Sequence, residues 1–307
     1  MSGDRAREGG GGDALHLDEA IRPDLLLSDE RRIARIDRDR WIGYGRARDA
    51  IEELDRILRS ERRQRPDNLL IVGASNNGKT AIARRFITRT VPPENPAAQA
   101  SRIPVALIQA PNGPRIPQLL TAIRSALGQP AGRRETTAQL RAETYRIMRG
   151  VGLRLLLIDD LHNIRGAGVG PLLVELREIG SVAGVSLGGF ATKDIAYALR
   201  QDEQLANRFD LMTLPRWQID EPDYWRLLAT LERRLPLRAP SNLTDPELAS
   251  HILLRSDGLI GAMTRLLRRA AVQAVRTGQE RIDRAMLDRV ASTTPARIEA
   301  LAASEQL

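Results

Sequence analysis

The sequence predicts an α/β fold, a parallel five-stranded sheet flanked by helices, followed by a small all-helical C-terminal domain. Three observations lead there. Short apolar runs alternate with longer helical patterns between residues 69 and 214, as in a parallel sheet, whose strands are buried on both faces and whose crossovers are helices. A glycine-containing segment, Gly73 to Thr80, directly follows the first apolar run and opens a helical pattern. After Pro215 the apolar residues recur at helical spacing.

In chain order, residues 1–28 are rich in Gly, Asp and Arg with little apolar periodicity, so a disordered tail is expected. Over 29–67, Ile33, Ile36, Trp41, Ile42, Ala47, Ile51, Leu54, Ile57 and Leu58 recur at three- and four-residue steps in a charged background, which predicts an N-terminal segment of one or two amphipathic helices. Pro66 ends that pattern. Strands are predicted at Leu69 to Val72, Pro104 to Gln109, Leu153 to Ile158, Gly184 to Gly188 and Leu211 to Leu214. Helices are predicted between them at Lys79 to Thr90, Ile116 to Leu127, Thr136 to Arg149, Pro171 to Gly180 and Ile195 to Leu199. Residues 68–218 thus make an α/β domain. Four further helical patterns, Pro222 to Leu235, Pro246 to Ser256, Leu259 to Thr277 and Arg284 to Ser292, make a helical domain over 219–292, with a tail at 293–307.

Composition bounds the function. The 307 residues contain no cysteine, so no disulfide framework is possible and a reducing compartment is expected. Apolar runs such as Leu153 to Ile158 are too short to cross a bilayer, and Met1 to Asp13 lacks the apolar stretch of a signal peptide. A cytoplasmic protein with no membrane partner is therefore expected. The 47 basic against 39 acidic residues leave a net charge of +8, which favours a polyanionic partner, nucleic acid above all. His16, His162 and His251 show no ligand spacing, and a metal-centred site is set aside.

The segment Gly73-Ala74-Ser75-Asn76-Asn77-Gly78-Lys79-Thr80 fits G-x-x-x-x-G-K-[ST]. Its glycines let the loop wrap tightly enough for backbone N–H groups to face phosphate oxygens. Lys79 would reach the β- and γ-phosphates, the Thr80 hydroxyl would coordinate Mg²⁺, and the following helix would offer its N-terminal dipole. The chain writes arginine at all but two of its basic positions, Lys79 and Lys193. A lysine where a compact ammonium must fit between phosphates is therefore informative.

The run Leu153 to Ile158 ends in Asp159-Asp160, which places two carboxylates at the crevice where ligands bind in open α/β sheets. Asp159 would hold Mg²⁺ through water and Asp160 would orient the attacking water; turn chemistry alone also accounts for such a pair. Thr192, just after the fourth strand, would hydrogen-bond the attacking water or γ-phosphate, or else cap the next helix. Arg208, ahead of the last strand, would be an arginine finger acting on a neighbour's γ-phosphate.

Taken together over about residues 40–269, the chain resembles the AAA+ ATPases, and within them the transposition ATPases of the TniB/TnsC type, to which the phage protein MuB is related in function. The likeness lies in Trp41-Ile42-x-Tyr44 ahead of Asn68 to Gly73, in Ile158-Asp159-Asp160-Leu161-His162-Asn163, and in Gln204-Leu205-Ala206-Asn207-Arg208-Phe209. The resemblance implies an ATP- and Mg²⁺-dependent protein that assembles into rings or helical filaments on double-stranded DNA, selects the target site and recruits or activates an integrase-like transposase, with a TniQ-type targeting protein as a further partner. It also implies that loops after the second strand face the bore, which nominates Arg115, Arg133 and Arg134 as DNA contacts. The family's Asp-Glu appears here as Asp159-Asp160, which implies slower hydrolysis. The lid's G-x-x-R appears as Gly261-Ala262-Met263-Thr264, with Arg265 next to it.

Two alternatives compete with that expectation. One is a DnaA- or DnaC-like replication initiator or helicase loader, expected to carry a recognisable DNA-binding domain beyond the lid. The other is a nucleotide-switched signalling ATPase without DNA, expected to carry repeats or an effector domain. Neither pattern is found in the sequence, nor is any base-reading motif, so DNA binding is expected to be mostly to phosphates.

Overall fold

The computed structural model describes residues 14–62, 65–90, 102–113, 115–130, 135–161, 169–200 and 208–291. They fall into two compact units. Residues Gly43–Arg216 form an α/β unit, and the described residues of Met1–Ile42 and Trp217–Leu307 form a helical unit.

The α/β unit holds five strands, β1 (Asn68–Gly73), β2 (Val105–Gln109), β3 (Leu155–Asp159), β4 (Ser186–Ala191) and β5 (Phe209–Leu214). Every pairing is parallel and the order is β2-β3-β4-β1-β5. Strands β1, β3 and β4 are buried at every position, whereas the edge strand β5 is mostly exposed or half-buried, which is why its apolar pattern in the sequence is the faintest. Helix α2 (Gly45–Arg59) buries Ala47, Ile51, Leu54 and Ile57. Around the sheet follow α3 (Lys79–Thr90), α4 (Ile116–Ala126), α5 (Thr137–Gly150), α6 (Val169–Ala183) and α7 (Lys193–Arg200).

Strand β4 runs further than the sequence pattern predicts. Gly184 takes a left-handed turn at φ +65° after α6, and the strand starts at Ser186 and continues through Gly188-Gly189 to Ala191. A Cβ on Gly188 would lie 2.5 Å from Leu157 Cδ2, and one on Gly189 would lie 2.5 Å from Leu161 Cδ1. These glycines mark the close approach of leucines to the strand and not its end. Helices α5 and α6 are joined by Glu175, buried on α6, which accepts from Tyr145 Oη at 2.8 Å and from Arg141 Nη2 at 2.7 Å. Burial, then the bond to this carboxylate, pushes the Tyr145 hydroxyl far above its ordinary range.

The helical unit consists of α1 (Asp29–Ile36), α8 (Pro222–Glu232), α9 (Pro246–Ser256), α10 (Ile260–Thr277) and α11 (Arg284–Val290). Helix α10 buries Met263, Leu266, Leu267, Ala270 and Ala274 along one face. Two expectations fail here. Residues 14–28 are not a disordered tail: Leu17 and Ile21 are buried, His16 Nε2 lies 3.0 Å from the Leu237 carbonyl oxygen, and Arg22–Leu26 form a 3₁₀ turn. The Gly- and charge-rich composition upstream of residue 14 obscured these two apolar anchors. Nor do residues 29–67 behave as one segment. Helix α1 belongs to the helical unit, fixed by the fully buried Arg32 between Asp29 and Glu280 at 2.9 and 2.5 Å, whereas α2 belongs to the α/β unit.

Candidate functional site

The site grows from the C-terminal ends of β3, β4 and β1, adjacent in the sheet. After Gly73 the chain turns through Asn76 at φ 62° and Gly78 at φ 84°, left-handed conformations that asparagine and glycine adopt most readily. The loop is clamped to β5. Asn77 is buried and its Nδ2 donates to the carbonyls of Leu214 at 2.8 Å and Pro215 at 3.2 Å. A Cβ on Gly73 would lie 3.1 Å from both Leu214 Cβ and the Leu214 carbonyl oxygen. Ala74, Ser75 and Asn76 form the outer part of the loop, and Thr80 sits half-buried in the first turn of α3.

Lys79 opens α3 with its side chain buried, and Nζ donates to Gly73 O at 2.9 Å and Ala74 O at 2.8 Å. An ammonium has three donors, so the loop's own carbonyls hold it in place with one donor left. Burial lowers the Lys79 pKa, opposed by the negative charges of Asp159 and Asp160.

Asp159 is buried at the end of β3 and its Oδ1 accepts from the Asp160 N–H at 2.9 Å. Asp160 has a left-handed backbone at φ 53°, a conformation that non-glycine residues take at a cost and often at functional positions. Its Oδ2 accepts from Gln109 Nε2 at 2.9 Å. Gln109 was not among the residues selected from the sequence. Its signal there was a polar residue closing an apolar run, but its partner emerges only from the pairing of β2 with β3, which sets Gln109 opposite Asp159.

Thr192 follows β4 directly, one residue past Ala191, which pairs with Val72 of β1. Its Oγ1 is buried with no hydrogen-bond partner among the described residues, so the hydroxyl does not cap α7. An orphaned hydroxyl between the phosphate loop and the paired carboxylates fits a missing polar ligand. Thr80 and Asp159 supply hard oxygen donors of the kind Mg²⁺ takes. Thus Gly73 to Thr80, Asp159, Asp160 and Thr192 lie together at one end of the sheet.

Arg208 does not join them. It precedes β5, whose first residue Phe209 pairs with Asn68, and Asn68 Nδ2 donates to the Arg208 carbonyl at 3.0 Å. Asn68 and Gly73 stand at opposite ends of β1, roughly 17 Å apart at strand spacing. Asn68 also accepts from the Leu187 N–H at 2.8 Å, so it fastens the Arg208 backbone to β4. Arg115 is exposed at the start of α4 after β2. Arg133 and Arg134 lie outside the described residues. In the helical unit Thr264 Oγ1 donates to Gly261 O at 3.2 Å, so the hydroxyl in place of the lid arginine is spent on its own helix. Among the described residues, no helix is long and apolar enough to cross a membrane.

A family model described as bacterial TniB protein matches residues 32–219. Among solved structures, the chain is similar to the Aeropyrum pernix ORC2 protein in ADPNP and ADP complexes, with 18% identity, 85% of this chain and 71% of that one covered and a TM-score of 0.56. It is similar to Cdc6p from Pyrobaculum aerophilum, with 16% identity, 83% and 68% coverage and a TM-score of 0.59. It is also similar to the Aeropyrum pernix ORC1 protein in complex with DNA, with 18% identity, 84% and 68% coverage and a TM-score of 0.50. None of the curated proteins matches the sequence. These structures share the fold. With the family match spanning more than half of the chain, the chain belongs to the TniB family.

Proposed function

We propose that this chain is an ATP-dependent DNA-binding transposition protein that assembles head to tail on duplex DNA, selects the target site and recruits the transposase, with a TniQ-type protein as a further partner. The observation that carries the proposal is the placement of Arg208 at the opposite end of the sheet from the phosphate loop of its own chain. An arginine finger there serves a neighbour's nucleotide, which makes the complete site a property of an assembly. The family match supports the transposition role.

Within one subunit, the loop N–H groups and the N-terminus of α3 bind the phosphates and Lys79 bridges the β- and γ-oxygens. Thr80 and Asp159 would hold a Mg²⁺ ion, whose chemistry there is neutralisation of the charge on those oxygens. Asp160, aimed by Gln109, orients the attacking water, and Thr192 donates its unpaired hydroxyl to that water or to the γ-phosphate. The neighbour's Arg208 then stabilises the transferring phosphoryl group with its planar fork.

Mixing Arg208→Ala subunits with Lys79→Met subunits tests the assembly. Each variant alone should lose ATP turnover. An equal mixture should recover about a quarter of the interfaces, since half of the loops and half of the fingers are intact and combine at random. No recovery at any ratio refutes a finger acting between subunits.

A further inference from the structure

At the N-terminal edge of the sheet, Arg62, Arg102, Pro104, Gly152 and Arg154 line an open basin of about 550 Å³. It lies where β2 and β3 begin, a strand's length of about 17 Å from the carboxylates that end β3. We infer that these three arginines form a second anion site, separate from the nucleotide site, that takes the phosphate backbone of duplex DNA. The inference rests on the DNA-binding proposal and names the contact it needs.

Three features point to this ligand. First, the guanidinia have no counter-charge among the described residues. No carboxylate lines the basin, and no ion pair to Arg62, Arg102 or Arg154 occurs among the described residues. Other arginines of the fold, such as Arg32 and Arg124, are paired with carboxylates. In another arginine-lined pocket, in the helical unit, Arg40 pairs with Asp24, Arg268 with Asp39, and Arg234 donates to the Trp41 carbonyl. Second, the basin is pre-organised. Arg154 donates to the Ser60 carbonyl at the end of α2, and its N–H donates to Pro104 O at 2.9 Å. One arm of the guanidinium is thereby fixed while the rest of the fork remains for an anion. Arg62 follows two residues after Ser60. Third, the lining has no aromatic or large aliphatic side chain, so it offers neither a stacking platform for bases nor the apolar anchor that a protein interface core uses. Phosphate contact alone remains, in keeping with the +8 net charge.

The test replaces the two exposed arginines, as Arg62→Gln/Arg102→Gln, and compares them with Arg31→Gln/Arg226→Gln, two exposed arginines of the helical unit that lower the charge equally. Binding of a duplex of arbitrary sequence is measured across a salt series with a non-hydrolysable ATP analogue. Binding of a fluorescent ATP analogue reports the integrity of the α/β unit. Losing two phosphate contacts should lower the slope of log K against log[salt] by about 1.8. The helical-unit pair should keep the parent slope, and both should bind the ATP analogue as the parent does. Arg62→Lys/Arg102→Lys should restore most of the slope. An unchanged slope in the first pair overturns the basin and leaves DNA binding standing. Equal losses in both pairs reduce it to general charge and overturn it too. Loss of poly-glutamate binding with duplex binding retained would reassign the basin to an acidic protein partner. If the parent binds no duplex at low salt in either nucleotide state, the DNA-binding proposal falls and the basin with it.

Discussion

Lys79→Met separates what the phosphate loop does for nucleotide from what it does for the fold. In the protein the ammonium is buried and bonded to Gly73 O and Ala74 O. Two opposing effects of comparable size follow its removal. The loop carbonyls lose donors, at about 1–3 kcal/mol, while the desolvation of a buried charge is relieved. Methionine is unbranched and fills the channel of the lysine stem, so stability at neutral pH should change by less than about 1 kcal/mol. Nucleotide affinity should change far more. Losing a charge-assisted contact shared by two phosphates costs about 3 kcal/mol, roughly 150-fold in Kd. The pH dependence has a definite sign. Burial holds the Lys79 pKa below its ordinary value, so the unfolded chain keeps its proton to higher pH than the folded one. Stability then rises with pH between the folded and the unfolded lysine pKa. The parent should therefore gain on Lys79→Met as pH climbs towards the ordinary lysine range. Titration with a fluorescent ATP analogue and urea melts at two pH values measure both. An affinity loss under about 10-fold in a folded variant would refute the assignment of Lys79 to the phosphates.

Three further substitutions probe the rest of the unit. Asp160→Asn keeps the Gln109 contact within reach but polarises water poorly; turnover should fall by 10²-fold or more with nucleotide affinity retained, as phosphate-release assays would report. Thr192→Val removes a buried hydroxyl that has no partner, so thermal melts should show equal or higher stability while turnover drops about 10-fold. A stability loss would mean that the hydroxyl serves the fold. Glu175→Ala leaves Arg141 and Tyr145 without their shared acceptor; a cost of about 3–5 kcal/mol is expected in denaturant melts.

Much of this was legible in the sequence because it depends on neighbours along the chain. The loop from Gly73 to Thr80 is one continuous segment whose conformation follows from its glycines and asparagines. Each buried strand is a short apolar run, so β1 and β3 stand within two residues of where the pattern put them. Asp159 closes β3 and Asp160 follows it directly, and strand direction alone sets both carboxylates at the ligand-binding edge. The fourth strand was placed two to three residues early because glycine punctuates a sequence, and only the leucines facing Gly188 and Gly189 show why a strand passes through them.

What the sequence withheld depends on strand order and on distant partners. Gln109 and Asp160 are 51 residues apart and meet because β2 lies beside β3. Asn68, which the pattern leaves just ahead of the strand predicted from Leu69, turns out to hold both β4 and the Arg208 carbonyl. The division of the amphipathic stretch at Ile42 was invisible for the same reason: α1 and α2 carry equally clear apolar faces, and which unit each face covers is decided by Glu280 for Arg32 and by Gly188 for Leu54. Charge shows the same limit. The +8 surplus says that an anion is wanted but not where. Arg32, Arg124, Arg141 and Arg268 pair with carboxylates, whereas Arg62, Arg102 and Arg154 converge on one basin that no described carboxylate lines, so the location of a polyanion site is read from where unpaired guanidinia meet in space and not from the surplus itself.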